Sequence, residues 1–264
     1  MTTVFENIHQ AVLEKAWHRK VMIGDPELSQ IQAQQVLARW QHVTVLSMIN
    51  TWLARIVMHI ACFWKMRHVS VVGIENLPRD HRAIVVSNHF APLENLAVRK
   101  GLGNHRLFIV SELTNLAMTG GLGWLMRHAD TVPIVADTHY MGREFVPQLK
   151  KRLQKAPVLI YPEQALWLNY RKPRPGQRGA YYFAAQLQVP VISIFVALNE
   201  AGHYQVHILK TLTPNPHVSA RVASLQLRAD DDLQRQAIFE QIYHTAYDLQ
   251  WHPEDIVIPK NPRQ

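Results

Sequence analysis

The sequence of 264 residues contains very little cysteine, since Cys62 is its only one. A single cysteine excludes internal disulfides and cysteine-based zinc sites, and it agrees with a reducing compartment. The first ten residues, MTTVFENIHQ, also lack the basic segment and following apolar run of a secretory signal peptide. We therefore do not expect the protein to be secreted.

Charged residues are sparse as well: they make up 18% of the sequence, whereas 48% is hydrophobic. This composition excludes a disordered or coiled-coil chain and suffices for one sizeable α/β domain with a helical extension. Lys and Arg outnumber Asp and Glu by 28 to 20, which gives a formal net charge of +8. The excess fits an anionic lipid surface, a phosphorylated small molecule or nucleic acid. No lysine-rich run or nucleic-acid motif accompanies it, so we expect no nucleic-acid partner.

Residue spacings that suit a metal ion are scarce, although the sequence has 15 histidines. His203 and His207, in HYQVH, would share one face of a helix. The alternation of Tyr204, Val206 and Ile208 indicates a strand instead, which separates the two rings by roughly 13 Å. We therefore expect no metal site and no cofactor.

Residues 1–67 are predicted to form a helical, membrane-associating region. Helical periodicity over the first 40 residues indicates two or three helices before the main domain. The most apolar stretch, residues 43–64, is long enough to span a membrane, but Arg55 at its middle would cost about 2.5–3.5 kcal/mol in hydrocarbon. Trp52 and Trp64 suit a water–lipid interface, so we expect an interfacial or half-immersed helix. A helix packed in the protein core is the alternative.

From residue 68 the pattern changes to short apolar runs separated by helical segments, and residues 68–264 are predicted to form one α/β domain. Continuous runs of β-branched residues are typical of strands buried on both faces. They predict a mostly parallel or mixed central sheet flanked by helices. Near the end, a helix is predicted from Ala229, with its acidic residues in the first turn and with Ile238, Ile242 and Ala246 docked on the sheet. The predicted strands lie in HVSVVGIENLP, RAIVVSN, RLFIVSE, TVPIVA, APVLIYPE, PVISIFVAL and YQVHILKTL.

A histidine and a carboxylate follow the second predicted strand at an unusual spacing, in SNHFAPLENL. His89 and Glu94 would point to opposite faces of a strand and lie about 140° apart on a helix. A helix beginning around Pro92 would place Glu94 in its first turn, close to the loop that holds His89. The carboxylate could then accept a hydrogen bond from one imidazole nitrogen while the other acts as a general base. Glutamate in a first helical turn is favourable without any function, so a purely structural role stays open.

A basic segment follows the predicted strand that ends at Tyr161, after Pro162 and Glu163 turn the chain. Guanidinium groups on a segment shaped by prolines and glycines suit the oxygens of a phosphate. A solvated loop, or a patch that touches anionic headgroups, is the alternative. The basic residues are Arg171, Lys172, Arg174 and Arg178.

In their order along the chain, these segments resemble the motifs of the lysophospholipid acyltransferase superfamily, typified by 1-acylglycerol-3-phosphate acyltransferases. Asn88, His89 and Glu94 occupy the positions of its NH-x4-D motif, and residues 120–137 are similar to its second block. IYPEQALW resembles the block written FPEG-T-R. The resemblance covers residues 68 to about 212. The residues that match FPEG-T-R and the stretch after it are Tyr161, Pro162, Glu163, Arg178 and Gly179.

The chain departs from the family pattern in three places. Glu94 replaces the usual aspartate, and Thr138 stands where the second block ordinarily ends in arginine. Residues 164–166 read Gln-Ala-Leu in place of Gly-Thr-Arg or Gly-Thr-Lys, so the arginine that the family uses to hold the acceptor phosphate is missing from its place. The residues left as candidates for the phosphate are Arg143, Arg171, Lys172, Arg174 and Arg178.

The resemblance implies direct acyl transfer from acyl-CoA or acyl-carrier protein to a lysophospholipid hydroxyl, above all that of 1-acylglycerol-3-phosphate. His89 would be the base and Glu94 its orienting group, on the cytoplasmic side of a membrane to which the protein binds as a peripheral or monotopic protein. An acceptor without phosphate, such as a glycolipid, and a non-catalytic membrane-binding relative are the alternatives. Ser87 lies on the same side of the predicted strand as His89, which leaves a covalent role geometrically open. The predicted substrate-binding residues besides the basic candidates are Asn88, Tyr161, Pro162, Glu163 and Gly179.

Overall fold

The computed structural model describes residues 2–22, 24, 28–80, 82–135, 137, 140–199 and 201–258. Within them, seven strands form one sheet in the order β1-β7-β6-β2-β5-β3-β4. The strands are β1 (Ser70–Val72), β2 (Ile84–Ser87), β3 (Phe108–Glu112), β4 (Thr131–Ile134), β5 (Val158–Ile160), β6 (Val191–Leu198) and β7 (Tyr204–Ile208). The α-helices are α1 (Thr2–Leu13), α2 (Gln30–Gln41), α3 (Val45–Lys65), α4 (Glu94–Gly101), α5 (Leu113–Ala117), α6 (Gly120–His128), α7 (Val146–Leu153), α8 (Gly179–Leu187) and α9 (Ala220–Tyr243).

Most of the sheet is parallel. β2 pairs in parallel with β5 and β6, and β3 pairs in parallel with β4 and β5. β7 runs antiparallel to β6 and pairs in parallel with β1, which forms the sheet's other edge. Five neighbouring strands therefore end at the same side of the sheet, which we call the carboxyl edge. This arrangement confirms the mixed, mostly parallel sheet that the β-branched runs predict.

Helices cover both faces of the sheet, and successive residues of a strand enter opposite cores. Val85 of β2 joins the core beneath α3 and α4, whereas Ile84 and Val86 join the core beneath α7, α8 and α9. All residues of β2, β5 and β6 are buried. Burial on both faces explains why these strands read as continuous apolar runs.

The last long helix begins at Ala220, earlier than the predicted start at Ala229. Ser219 caps it, because its side chain accepts a hydrogen bond from the Val222 N–H at 3.3 Å. The acidic residues predicted for the first turn consequently lie in the helix interior. The helix ends at Tyr243, so the predicted docking residue Ala246 lies beyond it. The other two predicted residues, Ile238 and Ile242, pack partly buried against the cluster that Phe239 forms with β6.

In the described residues three helices precede the first strand, in agreement with the two or three predicted, and α1 packs on the α/β domain. Ile8 and Ala11 of α1 are completely buried in a cluster with Trp167 and Tyr170 from the loop after β5. The packing of α1 therefore crosses the boundary at residue 67, which stays a prediction.

α3 presents a broad apolar face away from the protein. By length and composition alone, the helix could cross a membrane, and 17% of its most apolar 18-residue segment is buried within the protein. Ala54, Met58 and Cys62 form the buried stripe that faces the domain, and Arg55 turns the same way to pair with Asp130 at 2.9 Å. This exposure favours contact with a membrane over the alternative of a core helix. We define the apolar face of α3 by its exposed residues Val45, Leu46, Ile49, Trp52, Leu53, Ile56, Ile60, Phe63 and Trp64.

Candidate active site

The loop after β2 is fastened to the neighbouring strand by Asn88. Its side-chain NH2 donates to the Val196 carbonyl at 2.8 Å, and its side-chain oxygen accepts from the Val196 N–H at 2.8 Å. The side chain is buried, and both its nitrogen and its oxygen are hydrogen-bonded to the backbone of Val196. This geometry gives Asn88 a positioning role, whereas the predicted contact with substrate stays a prediction. His89 follows at the carboxyl edge of the sheet.

His89 and Glu94 form the pair that their spacing predicts. Helix α4 begins at Glu94, directly after a turn that contains Pro92, and the Glu94 side chain points back toward the loop. Its Oε1 accepts a hydrogen bond from His89 Nδ1, while its Oε2 accepts from the N–H groups of Phe90 and Ala91 at 2.7 and 2.9 Å. The carboxylate thus fixes the imidazole with Nδ1 protonated, and Nε2 is the nitrogen that can take a proton.

The environment of the pair differs between its two members. The Glu94 side chain is 1% exposed, whereas 22% of the His89 side chain reaches solvent. A substrate can therefore approach the imidazole but not the carboxylate, which suits a base backed by an orienting group.

Tyr161, at the end of β5, supports the imidazole from one side. The two rings stack with centroids 3.9 Å apart and planes inclined by 12°. Burial, together with the nearby Glu94 carboxylate, raises the pKa of Tyr161 well above its usual range, so the phenol stays neutral. In the structure Tyr161 contacts His89, and the next residue, Pro162, is buried.

Glu163 and Arg174 hold the backbone of His89 from both sides. The His89 N–H donates to Glu163 Oε2 at 3.2 Å, and the His89 carbonyl accepts from Arg174 Nη2 at 3.2 Å. Glu163 and Arg174 also pair with each other at 2.9 Å, and both are buried. This ion pair positions the loop that holds His89, and it leaves neither side chain facing solvent.

The guanidinium of Arg174 has further partners within the protein. Its Nη1 donates to the Trp17 carbonyl at 2.8 Å, and its plane lies 4.4 Å from the ring centre of Trp167. Lys172 is equally occupied, since its Nζ lies 2.8 Å from Asp248 Oδ1 and 3.0 Å from Asp255 Oδ2. The geometry therefore argues against Arg174 and Lys172 as ligands of an acceptor phosphate.

The other basic candidates are less constrained. Arg171 lies 3.8 Å from Asp255 Oδ1 and packs over the ring of Tyr243. Arg178 stacks on Tyr182 just before α8, whose first residue, Gly179, is exposed.

Arg143 is exposed on the π-helical turn Met141–Phe145, which follows β4. In the sheet, two strands, β5 and β3, lie between β4 and β2, the strand that precedes His89. Among the five candidates, Arg143 and Arg178 make no ion pair with the described part of the chain.

Two residues near the site were missed by the sequence interpretation. Arg235 of α9 is completely buried and donates from Nη1 to Glu163 Oε1 at 3.1 Å. His18, in the segment after α1, lies with Nδ1 3.4 Å from the Glu163 carbonyl oxygen, and burial lowers its pKa. The four-residue spacing of Asp231 and Arg235, a helical ion-pair pattern, is the one signal that the sequence holds for either of them.

The structure gives little support to the other chemistries considered from the sequence. Ser87 is buried, with its hydroxyl 3.4 Å from the side-chain oxygen of Asn88, which does not suit a nucleophile. His207 lies in strand β7, as its alternating neighbours predict, and His203 stacks on His68. Within the described ranges, no group of three or more His, Cys, Asp or Glu side chains is arranged to hold a metal ion.

Comparisons with known proteins concern the family and the fold. Residues 68–197 match the protein family described as Acyltransferase. An uncharacterized acyltransferase of Schizosaccharomyces pombe is 29% identical over 133 residues, which make up 49% of this chain and 46% of that protein, so the match spans about half of the relative. The crystal structure of the 1-acyl-sn-glycerophosphate (LPA) acyltransferase PlsC from Thermotoga maritima has the same fold, with a TM-score of 0.56 at 13% identity over 94% of this chain and 98% of that one. The matched region contains both His89 and Glu94, so residues 68–197 form an Acyltransferase-family domain, which agrees with the resemblance of its motifs to the lysophospholipid acyltransferase superfamily.

Proposed function

We propose that the protein transfers a fatty acyl group from a thioester donor, acyl-CoA or acyl-carrier protein, to a lysophospholipid hydroxyl, above all that of 1-acylglycerol-3-phosphate. The observation that carries this proposal is the His89–Glu94 pair, in which backbone N–H groups fix the carboxylate and solvent reaches the imidazole. Membership of the family supports acyl transfer in general. The motif resemblance supports the lysophospholipid acceptor, and so does the acceptor in the name of the Thermotoga protein of the same fold.

The reaction that this geometry suits is a direct transfer. His89 Nε2 accepts the proton of the acceptor hydroxyl as the hydroxyl oxygen attacks the carbonyl carbon of the thioester. The buried Glu94 carboxylate stabilises the positive charge that develops on the imidazole. The tetrahedral intermediate then collapses: its C–S bond breaks, and the departing sulfur takes the proton from Nε2. The free base is restored and no acyl-enzyme forms.

The apolar face of α3 supports a location at the membrane surface. Lysophospholipids and long acyl chains partition into membranes, so an acyltransferase at the surface meets its substrates where they are concentrated. Because Arg55 is held against the domain by Asp130, the helix can lie in the interface without placing that charge in hydrocarbon. We propose peripheral or monotopic attachment on the cytoplasmic side.

A different acceptor, such as a glycolipid or another lipid without phosphate, is the second candidate. It is favoured by Gln164, Ala165 and Leu166, which replace the family's phosphate-binding segment. The internal pairing of Lys172 and Arg174 favours it further. Retention of a buried carboxylate behind an accessible imidazole argues against a non-catalytic relative.

The acceptor is tested with the purified full chain in detergent micelles. Lysolipid acceptors with and without phosphate are each combined with acyl-CoA and with acyl-carrier-protein donors, and the acylated products are measured. We expect transfer to 1-acylglycerol-3-phosphate. Transfer to phosphate-free acceptors alone would establish the second candidate, and failure with every combination would support a membrane-binding relative.

The role of Glu94 is tested by shortening and by removing its side chain. Glu94→Asp is expected to keep measurable activity, because a carboxylate at this position can still reach toward the loop. Glu94→Ala is expected to lower kcat by ~100-fold or more, since the imidazole loses its orienting group and two buried N–H groups lose their acceptor. Steady-state rates check this expectation, with Glu75→Ala, at an exposed glutamate on a short helical turn, as the matched control. Equal rates for Glu94→Ala and the control would contradict the role assigned to Glu94.

A further inference from the structure

A cavity of about 1100 Å³ lies apart from the candidate active site, between α2, α3, α5 and α6. Neither His89 nor Glu94 lines it. Arg106 and Asp130, which do, precede β3 and β4 and so lie toward the amino ends of these strands. His89 lies at the opposite, carboxyl edge. The cavity is therefore not used by the proposed reaction.

The lining of this cavity is strongly basic. Among its described residues, six cationic side chains accompany a single carboxylate, that of Asp130. Clefts lined by charge of one sign concentrate ligands of the other sign, because their low-dielectric walls focus the field. The six cationic residues are Arg39, Arg55, Arg106, Arg127, Arg152 and Lys155.

Asp130 is already saturated by two of these cations. Arg55 bonds it through Nε and Nη2, both at 2.9 Å, and Arg106 bonds it through Nε at 3.1 Å and Nη2 at 2.6 Å. Burial opposes ionisation of Asp130, but the hydrogen bonds from the two arginines outweigh it and lower its pKa. Its charge is shared, and the remaining cations of the cavity lack a counter-ion within the lining.

Arg152 shows this deficit most clearly. Its guanidinium lies 5.7 Å from the ring centre of Trp40 and 5.2 Å from that of Phe108, and it makes no ion pair with the described residues. Burial, together with the charges of Arg106 and Arg55, lowers its pKa although Asp130 acts in the other direction. A phosphate in the cavity would supply the missing negative charge and match the planar guanidinium groups.

The cavity borders the apolar face of α3. Met48, from the same helix, and Val43, which precedes it, line the cavity and are themselves exposed. A smaller cavity of about 360 Å³ beyond Arg55 combines Arg99 and Arg106 with apolar residues of that face. Basic groups therefore lie along an exposed apolar helix, which is the arrangement that binds the headgroup and the acyl chain of one lipid together.

We propose that this cavity binds the headgroup phosphate of an anionic membrane lipid that is not a substrate. Charge complementarity selects an anionic headgroup over a zwitterionic one, and the adjoining apolar face selects a lipid over a soluble phosphate. The bound lipid orients the protein on the membrane while acyl transfer takes place at the opposite edge of the sheet. The inference rests on the proposed membrane attachment of α3 and not on acyl transfer.

The test compares the full chain on phosphatidylcholine vesicles with and without phosphatidylglycerol, an anionic lipid that is not a lysolipid acceptor. Sedimentation should show tighter binding to the anionic vesicles. Arg39→Gln with Lys155→Gln should weaken binding to them by roughly 10- to 30-fold, because each basic side chain at an anionic bilayer contributes a factor of about five. Lys150→Gln with Lys151→Gln removes the same charge from exposed positions of α7 outside the cavity and should have a much smaller effect.

Equal losses in the two double variants would overturn the proposal in favour of non-specific surface charge. Release from the vesicles by millimolar inorganic phosphate at constant ionic strength would overturn it in favour of a soluble ligand. Acyl transfer in detergent micelles should be unchanged in Arg39→Gln with Lys155→Gln. A protein that binds anionic vesicles through the cavity but transfers no acyl group would refute the proposed function and leave the lipid site standing.

Discussion

Replacing His89 with alanine is expected to reduce acyl transfer to the background rate while the fold stays intact. The variant loses the nitrogen that accepts the hydroxyl proton, and general-base catalysis typically contributes ~10²- to 10⁴-fold. The fold should survive because Glu163 and Arg174 hold the backbone of residue 89, not its side chain. Glu94 also keeps its two bonds to backbone N–H groups in this variant.

Initial rates of product formation, together with the thermal midpoint followed by circular dichroism, test this prediction. His217→Ala is the matched control, because His217 is exposed in the loop before α9 and should keep the wild-type rate. Activity of the His89 variant within about tenfold of the control would contradict the mechanism, since such a loss is smaller than a general base contributes.

Glu163→Gln is expected to destabilise the protein more than any other single change considered. The substitution keeps the shape of the side chain but removes the charge that faces two buried guanidinium groups, those of Arg174 and Arg235. Arg235 retains the charges of Asp231 and Asp232, whereas Arg174 is left without a carboxylate partner among the described residues. Breaking a buried ion pair on one side costs about 3–5 kcal/mol in the free energy of unfolding.

Urea denaturation followed by circular dichroism measures this loss. Glu14→Gln makes the same chemical change in an exposed ion pair with Arg19 and should leave the unfolding midpoint unchanged. The Glu163 variant should also lose activity at temperatures where it is still folded, because the His89 N–H loses its charged acceptor. An unfolding midpoint equal to that of the Glu14 variant would show that the ion pair does not hold the loop.

The sequence predicts the sheet and the contact between His89 and Glu94 well because both depend on neighbours along the chain. Each strand is a continuous apolar run, and burial on both faces leaves that mark on the sequence. His89 and Glu94 are five residues apart, so the turn at Pro92 and the start of α4 suffice to bring them together. The added methylene of glutamate is accommodated because Glu94 is the first residue of the helix and its side chain points back toward the loop.

The contacts of the residues after β5 are with distant partners, and for that reason the sequence alone does not reveal them. Arg174 and Lys172 resemble phosphate ligands in a loop rich in proline and glycine. Their observed partners include the Trp17 carbonyl, 157 residues away from Arg174, and Asp248, 76 residues away from Lys172. No local pattern predicts such contacts. The predicted start of α9 is wrong for a different reason: the acidic cluster resembles a first helical turn, but Ser219 caps the helix well before that cluster, which therefore lies in the helix interior.

The supports of the loop that holds His89 reach beyond residues 68–197, which match the family. A fragment of residues 68–197 would keep His89, Glu94 and Glu163 but would lack the Trp17 carbonyl and Arg235. Arg174 would then have one acceptor fewer, and Glu163 would face one cation fewer. The matched region is therefore not a portable module, and chimeras between relatives need to carry the segments of Trp17 and Arg235 together with it.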